Sequence, residues 1–211
     1  MRNELPAPAA KATDTVVAGL AERGLAVVPD FLPSGDVAAL RDEALRREAA
    51  GELAPAGVGR GAARGARAEL RGDRIRWLDE DEPAVAERPF WSALAALSTA
   101  INRELMLGLW SFEGHYALYP PGAGYARHRD VFRDRFCEDR ARVVSCILYL
   151  NLAWRVDDGG ALRIHVDGAS PRDVLPEGGT LVAFLSDRFE HEVLPARRPR
   201  LALTGWFRRR T

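Results

Sequence analysis

Four histidines occur in the 211 residues, and two of them stand two positions before an aspartate: His128 and Asp130 in "GYARHRD", and His165 and Asp167 in "RIHVDG". Residues i and i+2 of a strand project to the same side. Either pair could therefore offer a nitrogen and an oxygen to one metal ion, given a third ligand from a neighbouring strand. The only histidine after both is His191, in "DRFEHEVLP". Between Asp130 and His191 there is length for several strands to wrap a barrel and return; between Asp167 and His191 there is length for barely one. Asp167 is followed by Gly168 and soon by Pro171, which suits a turn. The expected triad is thus His128, Asp130 and His191, with His165 and Asp167 as a strand end and a turn. Two histidines and a carboxylate on one face of an octahedron leave three positions open, an arrangement suited to non-haem iron(II). Zinc is the competing metal, although a zinc hydrolase would also need a general base beside the bound water.

An arginine separates these chemistries. In "RRPRLALTGWF", strand alternation puts Arg200, Ala202, Thr204 and Trp206 on one face and Leu201, Leu203 and Phe207 on the other. A buried guanidinium needs an anionic partner, and its planar fork matches a carboxylate. Arg200 could hold the far end of a dicarboxylate whose near end chelates the metal, while Arg197 and Arg198 read as arginines entering a strand from solvent.

These side chains need a scaffold of strands. From residue 108 onward, short β-branched and aromatic segments ("WSFEGHYALYP", "RVVSCILYLNL", "ALRIHV", "GTLVAFL", "RLALTGWF") alternate with the turn signals "PPGAG", "DDGG", "DGASP" and "PEGG". Upstream, residues 13–23 read as a helix capped by Thr13 or Asp14 and ended by Gly24, "LAVVPDF" as a strand, and residues 34–51 as a helix capped by Ser34. "RGDRIRWLDE" reads as another strand. "PFWSALAALSTAINREL" is the strongest helix and is expected to pack on the sheet. Helices followed by closely spaced strands predict an α+β, mainly β fold: a double-stranded β-helix, or jelly roll, with N-terminal helices packed outside. Residues 1–12 are expected to be a disordered lead. Residues 13–211 form a single domain, with helical support and a mobile loop at 13–107 and the jelly-roll core at 108–211.

Composition narrows the function classes. Thirty basic residues balance thirty acidic ones, so the chain lacks the positive surplus of phosphate-neutralising proteins, and nucleic acid is not an expected partner. The Gly/Arg-rich stretch 51–68 lacks the aromatics of an RNA-binding segment and reads as a long loop. Cys137 and Cys146 form no CxxC pair, no apolar run is long enough to span a membrane, and the N-terminus has no signal-peptide core. A cytoplasmic protein with no membrane partner is expected, for which the Arg71-Gly72-Asp73 tripeptide has no adhesion role.

Together, "LRGDRIRWL", "YPPGAGYARHRD", "RVVSCILYLN", "GGALRI" and "SDRFEHEVLPARRPRLALTGWF" resemble the iron(II)- and 2-oxoglutarate-dependent prolyl hydroxylases, specifically the branch of the hypoxia-inducible-factor prolyl hydroxylases and their bacterial relatives. The resemblance implies that His128, Asp130 and His191 ligate Fe(II) and that Arg200 grips the distal carboxylate of 2-oxoglutarate. It makes Tyr149 a second donor to that carboxylate and puts Tyr119 on the iron and substrate pocket. Ile147, Leu162, Thr204 and Trp206 match further pocket positions, and Arg142 matches one near the substrate entrance. It also implies O2 as oxidant, succinate and carbon dioxide as co-products, and admits ascorbate as an accessory reductant. The expected substrate is a prolyl residue of a protein or peptide; a free amino acid or other small metabolite is the alternative substrate class, and a non-enzymatic jelly-roll metal-binding or sensor module the alternative kind of protein.

Overall fold

The computed structural model describes residues 7–57, 70–131 and 142–210, arranged as two antiparallel sheets with three helices on one side. The first helix, α1, spans Ala7–Arg23 and ends where Gly24 turns to φ +70°. It therefore starts six residues before the helix read from the sequence, and Thr13 is a buried helical residue, not its cap. The expected disordered lead is corrected accordingly: Ala12 already packs in the core, and only residues 1–6 of that lead lie outside the described residues. Helix α2 spans Ser34–Ala49, with Pro33 at the cap position and no side-chain cap bond, so Ser34 does not serve as its N-cap. Helix α3, Arg88–Leu105, presents Phe90, Leu94, Leu97 and Ile101 along one stripe at spacings of three or four residues, and all four are buried. It ends at Met106 in the left-handed conformation, φ 52°.

Eleven strands are described: β1 (Leu25–Val28), β2 (Ala54–Pro55), β3 (Arg74–Trp77), β4 (Leu109–Tyr119), β5 (Tyr125–His128), β6 (Arg142–Tyr149), β7 (Leu162–His165), β8 (Arg172–Val174), β9 (Leu181–Leu185), β10 (Glu190–Val193) and β11 (Arg200–Arg209). Seven form the larger sheet in the order β1-β9-β6-β11-β4-β3-β2, and four form the smaller in the order β5-β10-β7-β8. The core is not confined to residues 108–211. Strand β1 pairs with β9, and β3 with β4, so N-terminal segments complete the larger sheet on both flanks. Of the Gly/Arg-rich stretch, residues 51–57 supply a turn and β2; residues 58–68, like Cys137, lie outside the described residues.

Alternation on β11 divides the interior in two. Leu201, Leu203 and Phe207 join the α-helical residues Leu20, Leu40, Leu94 and Leu97 in one apolar cluster. Ala202 joins Tyr119, Ile147, Tyr149, Leu162 and Val193 in a second cluster between the sheets. Close approach on the helical side requires glycine at position 205, because a Cβ there would come within 2.4 Å of the Phe112 ring and 2.5 Å of the Glu113 carbonyl oxygen. Truncating a fully buried leucine such as Leu97 to alanine should cost about 2–5 kcal/mol, so the helical layer gives the larger sheet a rigid back. Its other face is then free to carry chemistry.

Candidate active site

The smaller sheet aligns the two histidines directly. His191 of β10 is the register partner of His128 of β5, and their ring centroids are 4.3 Å apart. Asp130, two residues beyond His128, lies 3.6 Å from His128 Nε2 through Oδ1 and 3.7 Å from His191 Nε2 through Oδ2. One ligand atom from each of the three lies within 4.8 Å of the others. The structure thus brings together the three residues selected from the sequence and leaves His165 and Asp167 apart from them.

The surroundings prepare these atoms for a cation. His128 Nδ1 is 2.8 Å from the Ala126 carbonyl oxygen, to which it can only donate; the proton is then on Nδ1, and the Nε2 lone pair faces Asp130. Burial, the largest influence on His191, pushes its pKa down to about 4, so the ring is neutral near pH 7. Burial by itself would raise the Asp130 carboxyl. The facing His191 and His128 rings and the Ser145 hydroxyl outweigh it and hold Asp130 well below the usual carboxylate range. Ser145 donates to Asp130 Oδ2 at 2.6 Å, and its oxygen is 2.9 Å from that of Ser186. Tyr125 stacks on His128 at 3.7 Å between centroids. Two imidazoles and a carboxylate, with one ligand atom of each within 4.8 Å of the others, suit a divalent ion of the iron or zinc type.

Arg200 lies at the other end of the same pocket wall. It is 2% exposed; its Nε donates to the Gly160 carbonyl oxygen at 2.8 Å, and one terminal nitrogen, Nη2, is buried without a partner among the described residues. Tyr149 is fully buried and its hydroxyl is also unpartnered. Burial raises that phenol to about 12, with the Arg200 guanidinium pulling the other way, so it stays a protonated donor. The guanidinium carbon lies 5.0 Å from the Tyr149 ring centroid and 5.3 Å from that of Tyr119. Two unsatisfied buried donors, one of them cationic, could together hold one carboxylate. A dicarboxylate anchored there and reaching the triad fits these residues.

The remaining expected residues divide between wall and rim. Ile147 and Thr204 are register partners on β6 and β11, and Leu162 on β7 packs in the cluster between the sheets. Arg142 donates to Glu113 at 2.8 Å and stacks over Trp206 at 3.6 Å, closing one side of the pocket. Sequence reasoning missed Ser145, Ser186, Tyr125, and the buried pair in which Arg71 holds Asp73 at 2.7 and 3.0 Å. Ser145 had a legible signal, since it shares the strand parity of Ile147 and Tyr149. Ser186 and Tyr125 act through contacts that only folding creates.

Comparison with known proteins agrees with this chemistry. Residues 114–208 match the model of the 2OG-Fe(II) oxygenase superfamily. Egl nine homolog 1 of Homo sapiens is 32% identical over 96% of this chain but 48% of its own length. The chain thus spans about half the length of that curated relative. A prolyl-4-hydroxylase from Pseudomonas putida superposes with a TM-score of 0.85 at 47% identity, covering 93% of this chain and 99% of that one. A prolyl hydroxylase from Trichoplax adhaerens, solved with a hypoxia-inducible-factor oxygen degradation domain peptide fragment, superposes at 0.83 with 28% identity, covering 95% and 90%. Sheet order, triad and likeness converge: the chain belongs to the 2OG-Fe(II) oxygenase superfamily, among its prolyl hydroxylases.

Proposed function

We propose that this protein is an Fe(II)- and 2-oxoglutarate-dependent dioxygenase that hydroxylates prolyl residues of a protein substrate, with His128, Asp130 and His191 as metal ligands. The carrying observation is that the His-Asp-His cluster is tied through Ser145 to the inward face of β6 and β11, where two buried donors, Arg200 Nη2 and the Tyr149 hydroxyl, have no partner among the described residues. Iron with 2-oxoglutarate and O2 supplies the oxidising power that no side chain has. The chain's own contribution is placement. Arg200 and Tyr149 fix one end of the co-substrate; Ser145 and the Ala126 carbonyl orient the ligands; Phe184, edge-on to His191 at 4.9 Å, helps keep water from that ring. Tyr119, Ile147, Leu162, Thr204 and Trp206 line the space in which the co-substrate and the reacting carbon meet, and Arg142 stands at the substrate entrance.

The protein-substrate reading is supported by the prolyl hydroxylase relatives, one of which was solved with a peptide. A cytoplasmic location is our reading of the cysteine usage; no described helix is long and apolar enough to cross a membrane. Anaerobic addition of Fe(II) and 2-oxoglutarate should give a weak visible charge-transfer band. Incubating the loaded enzyme with a host lysate should then give proline-containing peptides that gain one oxygen. Succinate formation stimulated by a free amino acid, with no protein gaining oxygen, would move the substrate to the small-molecule class. A stable zinc complex and no band would overturn the oxygenase reading itself.

A further inference from the structure

His115 enters neither the triad nor the carboxylate receptor, yet it is 1% exposed on the pocket face of β4. Its register partner on β11 is Thr204, and one inward position further along that strand lies Trp206, opposite Ser145, which bonds Asp130. The His115 and Trp206 rings are 5.6 Å apart between centroids. Arg71 Nη2 lies 3.4 Å from His115 Nε2. Arginine can only donate, so Nε2 accepts and the imidazole proton is on Nδ1. That nitrogen is buried without a partner, and so is Trp206 Nε1. Two buried N–H donors thus sit on neighbouring rings, in addition to those of Arg200 and Tyr149, with no acceptor for either among the described residues.

Their position identifies what they would meet. Tyr149 packs with Tyr119, Leu162 and Ala202 in the cluster between the sheets, and Arg200 reaches the Gly160 carbonyl oxygen. At the His115 and Trp206 end the neighbours are exposed: Trp77, 39% accessible, sets its edge against His115 at 4.8 Å, and the partly exposed Arg142 stacks on Trp206. His115 and Trp206 are themselves buried, directly beneath these more exposed side chains. Both donors are uncharged, which favours a neutral acceptor over a second carboxylate. The geometry points to His115 Nδ1–H and Trp206 Nε1–H as a two-donor site for a carbonyl oxygen of the peptide being hydroxylated, making His115 a substrate-binding residue. This inference rests on the peptide-hydroxylase reading above.

The test uses the Fe(II)-loaded full chain with synthetic peptides, each holding one proline in a different context, and follows the peptide that the wild type oxidises fastest. His115→Phe keeps a flat ring without the donor, and Trp206→Phe does the same at the second position. Each should raise the peptide KM about tenfold while the KM for 2-oxoglutarate stays within about twofold, and His115→Asn, which restores an N–H, should recover most of the loss. If both Phe variants keep the wild-type peptide KM, the donor site is wrong while the hydroxylase reading stands. If the effect falls on the KM for 2-oxoglutarate instead, the acceptor is the co-substrate and the assignment to peptide is overturned. If the wild type oxidises none of the peptides and no lysate protein, the peptide reading fails and this inference fails with it.

Discussion

His191 and Glu192 are neighbours on β10, yet one turns into the barrel and the other out of it. On the outer face, Glu192 meets His165 at 3.0 Å, Arg163 grips Asp173 through two bonds of 2.8 Å, and Arg127 reaches Glu190 at 2.7 Å. Each of these side chains has a partner on the protein's own surface. On the inner face, His191, His128 and Asp130 bring lone pairs together with no cation among them. The residue types are the same on both faces. What differs is burial and what is left unanswered: the outer face is complete as a protein surface, whereas the inner one is complete only with a bound ion and an anion. Imidazole and carboxylate become a site where the fold withholds their ordinary partners.

The sharpest way to break this comparison is to remove one inner ligand. Asp130→Ala and His191→Ala should each lower Fe(II) or Co(II) affinity by more than about 100-fold, beyond what loss of a supporting partner costs, and abolish turnover. Metal titration followed by the visible spectrum of the Co(II) form reads this directly. Glu192→Ala, one residue away, should leave the titration unchanged. If Glu192→Ala weakened metal as much as His191→Ala does, the two faces would not be chemically distinct.

Arg200→Gln removes a charged donor that only a ligand can satisfy. We expect 2-oxoglutarate affinity to fall about 100-fold, and Tyr149→Phe to cost about five- to tenfold, since a neutral hydrogen bond contributes less than a charge-assisted one. Anaerobic titration of the charge-transfer band measures both. Metal binding without 2-oxoglutarate should be unaffected by either change. Ser145→Ala should act in the opposite sense, weakening metal by about tenfold with little effect on the co-substrate.

A pH experiment sharpens the same contrast through His115. Burial, reinforced by Arg71 and Arg142, pushes its pKa down to about 3, whereas an unfolded histidine titrates near 6.5. The folded value is depressed, so the stability associated with the neutral ring is fully present above about pH 6.5 and is lost as pH falls from there towards about 3. Urea unfolding at pH 7 and pH 4.5 should show a loss on the order of 2 kcal/mol from this group, absent in His115→Phe. Equal acid sensitivity in wild type and His115→Phe would mean that the ring is not held neutral by burial.

Much of this site was legible because strand chemistry has a period of two. Asp130 follows His128 by two residues, and Ala202, Thr204 and Trp206 follow Arg200 in steps of two, so the facing side chains could be chosen before any coordinate. The spacing argument does not by itself separate His165 from the triad. Chain length did not keep it away: β7 pairs with β10 as closely as β5 does, and His165 stands opposite Glu190. Pleat parity keeps it out, because Ile164, not His165, is the partner of His191. The seven-stranded sheet was harder to read. Strands β1 and β3 are four residues each and separated from their partners by long stretches of chain, so no local pattern reports that they complete it. The hydroxyl pair of Ser145 and Ser186 had the same difficulty, since 41 residues separate two groups that meet at 2.9 Å.

The smallest effects should come from the outer face, and their smallness is the control for the rest. The Arg163–Asp173 pair is bidentate and each bond is 2.8 Å, which by geometry alone would rank it among the strong interactions of the molecule. Its side chains are 37% and 43% exposed, however, so water screens the attraction and ordering the two chains costs entropy. Arg163→Ala should therefore lower stability only slightly at moderate salt, and by still less as ionic strength rises. His165→Ala, which frees Glu192 to water, should behave similarly. Thermal unfolding across a salt series, with metal titration on the same samples, separates the two faces: small salt-sensitive shifts in Tm and an unchanged metal midpoint are expected. A salt-independent loss of several kcal/mol would mean that the outer pairs help set the strand register aligning His191 with His128, and the division between a structural face and a chemical one would have to be withdrawn.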